Sequence, residues 1–246
     1  MKKVLITGGS GFIGTNLISF LKAQGGYSLI NIDINRPQKG DQVDLWRNVD
    51  IRDMEALSRV VIEFKPDSVV HLAARTDLNG LRIQDYDSNT IGVKNLIDVI
   101  EQCSTVDRVL VASSMYVCKP GYKPSSMDDY APHTIYGESK VLTEKIVKES
   151  KMKTPWVLFR PTSFWGPWFG KPYIDFFNIV LSRKYFHLGY RACSKTYGYI
   201  ENSVRQIEAL LNSDICLVRR QVFYLGDWPA YNISEWANVK YILILN

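Results

Sequence analysis

Apolar runs and helical spacings alternate along the first two thirds of the chain. Val4 to Thr7 is a short apolar run that reads as a buried strand, and Phe12 to Gln24 follows it with the spacing of a helix. Tyr27 to Asp33 reads as a second strand, and Asn35 to Leu45, broken by Pro37 and Gly40, as a loop. Asp53 precedes Met54 to Phe64, a helix it can cap. Ser68 to Ala73 is the third strand, and Tyr86 to Gln102 carries helical spacing through Ile91, Leu96, Ile97 and Ile100. Arg108 to Ala112 and Trp156 to Phe159 are the next strands. A later helix over Ser203 to Leu211, a strand over Gln221 to Gly226 and a helix starting at Ser234 to Val239 complete the series. Strands that alternate with helices predict an α/β fold with a doubly wound parallel sheet covered on both faces.

The turn between the first strand and the first helix carries the first chemistry. Gly9, Gly11 and Gly14 satisfy G-x-G-x-x-G, and Gly8, Gly11 and Gly14 also fit G-x-x-G-x-x-G. Such glycines let a strand turn sharply into a helix, bring backbone close to a pyrophosphate and let helix pack on strand. The helix N-terminus then offers free N–H groups and the positive end of its dipole to phosphates. Asp33 ends the second strand about 20 residues on, where a carboxylate binds an adenosine ribose and repels a 2′-phosphate, which favours NAD over NADP. Arg36 lies nearby, where it could accommodate that phosphate.

Composition narrows the class. A chain of 246 residues can bury a sizeable core, and no apolar run reaches the ~20 residues that span a bilayer. Met1-Lys2-Lys3 and the apolar run behind it lack a cleavage site and are cut by the glycine turn, which predicts a cytoplasmic protein without a membrane segment. Cys103, Cys118, Cys193 and Cys216 are scattered, so free thiols are expected and no metal site. The net charge of +5 is mild and comes with no basic block, so no nucleic-acid partner is expected.

Further on, Tyr136-Gly137-Glu138-Ser139-Lys140 puts a tyrosine and a lysine at i and i+4, on one face of a helix. A neighbouring ammonium and a cationic nicotinamide favour phenolate, drawing tyrosine from its ordinary value near 10 toward the working range of a base. Lys140 can also hold the nicotinamide ribose.

Taken together, these motifs resemble the extended short-chain dehydrogenase/reductase family, in its NAD-dependent nucleotide-sugar epimerase/dehydratase branch, from Lys2 to about Gly166 and more loosely to about Trp236. The resemblance implies a Rossmann-type NAD-binding domain over residues 1–165 and a smaller substrate-binding region over 166–246, interleaved with the sheet. It implies cofactor contacts from Gly8, Gly11, Phe12, Ile13, Gly14, Asp33, Asp50, Ile51, Leu72, Ala73, Ala74, Asn89, Tyr136 and Lys140. Asp50 would accept from the adenine amino group, Asn89 would help fix backbone near the active site, and His71 would be structural. Ser114, by alignment of Leu110 to Val117, would be the catalytic hydroxyl beside Tyr136 and Lys140, while Ser113 would be a buried hydroxyl bonded to backbone. Substrate contacts would come from Ser114, Tyr136 and Ser163, the last standing where relatives often carry asparagine. The 4,6-dehydratases of the family have an Asp-Glu pair after the catalytic hydroxyl. Here Met115 and Tyr116 stand there, which disfavours dehydration.

The function implied is 4-epimerisation of a nucleotide sugar through a transient 4-keto intermediate, with NAD retained and a homodimer formed through a helix pair. Two alternatives accompany it: a sugar dehydrogenase or reductase of the same family, and a catalytically weak dinucleotide-binding protein. Trp165, Trp168, Phe169, Tyr173 and Phe177 read equally as a pocket floor or as core packing. The apolar end from Lys240 to Asn246 reads equally as a covered strand, a dimer contact or a truncated tail.

Overall fold

The computed structural model describes residues 1–170, 173–186 and 194–235. Cys193, the side chain of Tyr173 and the tail from Trp236 to Asn246 lie outside the described residues. The helix start expected at Ser234 is helical over 233–235.

The elements follow the apolar pattern closely. They are β1 (Lys2–Thr7), α1 (Phe12–Gln24), β2 (Tyr27–Asp33), β3 (Trp46–Asn48), α2 (Met54–Phe64), β4 (Ser68–His71), α3 (Asp87–Glu101), β5 (Arg108–Ala112), α4 (Ile135–Glu149) and β6 (Trp156–Pro161). After them come β7 (Ser163–Trp165), α5 (Tyr173–Leu181), β8 (Ser194–Lys195), β9 (Tyr197–Tyr199), α6 (Ile200–Asn212) and β10 (Gln221–Leu225). Asp53 caps α2 by accepting from Ala56 N–H at 3.0 Å. Several boundaries shift by a few residues from the sequence reading, and three of the shifts have a clear local cause. The loop expected over Asn35 to Leu45 closes in a 3-10 helix, Gly40–Leu45, and runs straight into β3. The helix expected from Tyr86 begins one residue later, because a 3-10 turn, Ile83–Tyr86, leads into it. The third strand stops at His71, because Leu72 makes one more bond to Thr7 and the chain then leaves the sheet.

Seven strands form one parallel sheet in the order β10-β6-β5-β4-β1-β2-β3. The chain builds outward from β1 in one direction, then returns to β4 and builds the other way. Side-chain alternation sends Leu5, Ile30, Ile32, Val69, Val109 and Leu158 into a core with α2 and α3. Val4, Ile6, Val70, Leu110, Val157 and Phe159 point to the opposite face, under α1 and α6. Both faces are covered, which is why these strands are apolar throughout. The last strand comes from the region expected to serve the substrate, and α6 from that region packs beside α1. Among the described residues, no helix is long and apolar enough to cross a membrane.

Candidate active site

At the reversal of strand order the loops after β1 and β4 part, and a cleft of about 930 Å³ opens at the C-terminal ends of the strands. Its floor is backbone. Gly8 has φ +73°, and a Cβ there would meet Ala73 N at 2.5 Å, so this glycine is demanded by the crossing of the two loops. A Cβ on Gly14 would strike the Gly8 carbonyl and Gly9 Cα. Gly11 is different: its Cβ would meet only Gly8 O, at 3.3 Å, so the space above it faces the cleft. Phe12, Ile13 and Gly14 line that cleft, and no side chain caps α1. This open, uncapped helix N-terminus is a seat that suits a pyrophosphate.

Asp33 lines the same end and accepts from Ser10 N–H at 3.0 Å and Asn35 N–H at 2.9 Å. Burial pushes its carboxyl above the ordinary value against those bonds. Asp50 and Ile51 also line the cleft, but Arg52 grips the Asp50 carboxylate, with Nη2 2.6 Å from Oδ2, and holds its pKa down. Leu72, Ala73 and Ala74 form the wall below, small enough for a ligand to lie against them. These groups fit a dinucleotide with free ribose hydroxyls.

At the other end Ser114, Tyr136 and Lys140 share one wall. Ser114 leaves the end of β5 and accepts from Tyr116 N–H at 3.1 Å. Thr134 caps α4 by accepting from Gly137 N–H, which sets the helix that carries Tyr136 and Lys140. Tyr136 is held between two rings, Tyr86 at 6.1 Å and Tyr116 at 5.7 Å, and Tyr116 stacks on His133. Lys140 is buried and donates to Ala112 O at 2.6 Å. Burial pulls its ammonium down to about 8, and the charge of Glu144 opposes that pull.

Three expected residues stand differently. Asn89 lies behind the cleft wall: its amide bonds Arg75 N–H and C=O and donates to Ser139 Oγ at 2.9 Å, tying the loop after β4 to α4. Ser163 is fully buried, 3.8 Å from Met115 Sδ, and its neighbours Thr162, in the break between β6 and β7, and Phe164 line the cleft in its place. Ser113 bonds a carboxylate and not backbone: its Oγ donates to Glu144 Oε1 at 2.6 Å. His71 is buried, paired with Thr7 Oγ1 at 2.7 Å and held neutral, with burial lowering its pKa to about 3. The aromatic stretch does both jobs offered for it. Trp165, Phe169 and Phe177 pack together, while Trp168 and Phe169 also face the cleft. Glu144 escaped the sequence reading. It stands four residues after Lys140, on the same helix face, and that spacing was the available signal.

A model of the NAD dependent epimerase/dehydratase family matches residues 4–211. The chain belongs to that family. Over 238 residues it is 25% identical to the N-acetyl-alpha-D-glucosaminyl-diphospho-ditrans,octacis-undecaprenol 4-epimerase of Escherichia coli O157:H7, covering 94% of this chain and 69% of that one. Over 172 residues it is 30% identical to the UDP-glucose 4-epimerase of Neisseria meningitidis serogroup C, covering 63% of this chain and 50% of the relative. The chain thus matches only half the length of that relative. Among solved structures, the UDP-glucose 4-epimerase of Thermus thermophilus in complex with NAD aligns with a TM-score of 0.77 at 24% identity, covering 96% of this chain and 81% of that one. A dTDP-glucose 4,6-dehydratase of Bacillus anthracis str. Ames, in complex with NAD, aligns with a TM-score of 0.82 at 20% identity, over 100% of this chain and 81% of that one. At these identities the shared property is the fold. Within the NAD dependent epimerase/dehydratase family, then, the chain has the sheet, the glycine turn and the tyrosine-lysine helix.

Proposed function

We propose that the chain is an NAD-dependent nucleotide-sugar epimerase acting at C4 of the sugar through a transient 4-keto intermediate. The observation that carries this reading is one cleft with an open, uncapped helix N-terminus at one end and Ser114, Tyr136 and Lys140 on the wall at the other. Bound NAD would supply a reversible two-electron acceptor for the carbinol carbon. Tyr136 takes the proton from the 4-hydroxyl and gives it back from the same oxygen. Ser114 shares that proton and orients the hydroxyl. The Lys140 ammonium, buried beside the tyrosine on the next turn of α4, favours phenolate. Met115 and Tyr116 line the cleft where a dehydratase needs carboxylates, so the carboxylate pair for loss of water is missing there and dehydration is disfavoured. Asp33, a carboxylate lining the dinucleotide end of the cleft, supports NAD over NADP.

Three free thiols among the described residues, Cys103, Cys118 and Cys216, support a cytoplasmic location. A homodimer is part of the same reading, and the mass in solution checks it. The deciding experiment is NMR of the purified protein with NAD and a panel of UDP-, dTDP- and GDP-sugars. A new epimer without net NADH is expected, and Tyr136→Phe should lower kcat by about 10²–10⁴-fold while NAD binding is kept. No conversion across the panel, with NAD bound, would sink the reading.

A further inference from the structure

Behind the catalytic wall, Glu144 is the hub of a buried polar cluster. Its Oε1 accepts from Ser113 Oγ at 2.6 Å and Arg160 Nε at 2.7 Å. Its Oε2 accepts from Arg160 Nη2 at 2.8 Å, Tyr130 OH at 2.9 Å and Lys148 Nζ at 3.2 Å. Glu144 and Arg160 are both completely shielded from solvent. Arg160 spends its other donors on Met127 O at 2.6 Å and Tyr224 OH at 2.9 Å, and Lys148 pairs with Asp128 at 2.7 Å. The hub therefore joins the end of β5, α4, β6, β10 and the segment 127–130.

A buried ion pair roughly breaks even against apolar side chains of the same volume, so stability alone does not account for this one. Its placement does. Ser113 lies between Ala112, whose carbonyl receives the Lys140 ammonium, and Ser114, the catalytic hydroxyl. One carboxylate thus reaches, through one hydroxyl, the three residues that set both groups beside Tyr136.

We propose that Glu144 is a positioning residue for the reaction: anchored by Arg160, it fixes through Ser113 the backbone that sets Ser114 and Lys140, and it supplies the negative charge opposite the Lys140 ammonium. This rests on the epimerase reading above. The other titratable groups near Lys140 are His71 on β4, which burial keeps neutral, and Tyr136 on its own helix. Facing Glu144 are Arg160 of β6, Tyr130 and Asp128 of the 127–130 segment and Lys148 of α4, with Tyr224 of β10 beyond Arg160. Burial pushes the Glu144 carboxyl up, yet Arg160, Ser113 and Lys148 hold it below its ordinary value, so it remains charged at neutral pH.

The test uses Glu144→Gln in the full chain with NAD. The Lys140 midpoint is read from lysine ¹³Cε shifts, assigned by the signal lost in Lys140→Met. Removing the opposing charge and leaving Arg160 unpaired should lower that midpoint by about one unit or more. In the same variant kcat should fall about tenfold or more with KM for the sugar little changed. A midpoint that stays, or a kcat that stays while the midpoint moves, overturns the proposal. Should Glu144→Gln fail to fold, Ser113→Ala removes one contact and spares the ion pair. A lower kcat at unchanged KM is then expected, and an unchanged kcat overturns the proposal. Wild type that turns over no sugar defeats the epimerase reading instead, and the Lys140 midpoint still tests the role of Glu144.

Discussion

The two ends of the cleft are made of different material. The dinucleotide end is backbone: a left-handed glycine, an open glycine, a helix N-terminus and a run of small residues, with Asp33 as its main polar side chain. The reaction end is side chains, and each is held by contacts that arrive from elsewhere in the chain. Asn89 reaches Ser139, Glu144 reaches Ser113 and Arg160, and Lys140 reaches Ala112. A backbone-built seat tolerates change in everything except a few glycines. A side-chain seat is only as good as the buried polar groups behind it.

Substitutions that separate the two ends sharpen this contrast. The largest effect on stability is expected at the reaction end. Arg160→Met strips the buried Glu144 carboxylate of its two guanidinium bonds and leaves Lys148, at 3.2 Å, to balance its charge, and urea denaturation should show a loss of about 3–5 kcal/mol. The dinucleotide end should respond to its glycines unequally. Gly8→Ala forces a Cβ at φ +73° against Ala73 N and should cost roughly 1–3 kcal/mol of stability. Gly11→Ala, whose Cβ would press only on Gly8 O at 3.3 Å and needs a shift of a few tenths of an ångström, should change stability by about 1 kcal/mol or less yet weaken NAD binding at least about tenfold, read by calorimetry. If both glycines behave alike, the division of labour drawn here is wrong.

An effect that is absent at neutral pH and grows with acidity probes the sheet between the two ends. His71 titrates at about 3 in the fold and near 6.5 unfolded. Above pH 6.5 neither state is protonated and stability is at its full value. As pH falls from 6.5 toward 3, the unfolded chain takes up a proton that the fold refuses. Stability should therefore drop by about 1.4 kcal/mol per pH unit from this group. His71→Gln, whose amide can keep the Thr7 contact, should flatten that part of the acid limb in denaturant titrations by the same amount.

The same contrast explains what could be read from the residues alone. The strands and helices around the sheet were legible because their periods are local, and so was the glycine turn, whose parts lie within seven residues of one another, Gly8 to Gly14. Tyr136 and Lys140 were legible because one helix turn separates them. Ser163 turns away from the cleft because the chain breaks from strand at Thr162, and a single residue's step at that break decides which side chain meets the cleft. Asn89 fixes backbone near the active site, at Arg75, as the resemblance implies, but it does not line the cleft, and its tie to Ser139 of α4 is a contact fifty residues away in sequence. Ser113 was given a backbone partner because its true partner sits 31 residues on, and nothing near it announces a carboxylate.

Pairing β10 with β6 also has a temporal side. Val157 waits for Gln221, and the face under β6 waits for Ile200, Val204 and Ile207 of α6. The ribosome adds about 5–20 residues each second, so the 64 residues between 157 and 221 (221 − 157) take about 3–13 s to make. For that interval the growing protein has finished its dinucleotide seat but presents an open strand edge and a bare apolar face. That is the stage at which chaperones or premature self-association would meet it, and slower translation across residues 166–220 would lengthen it.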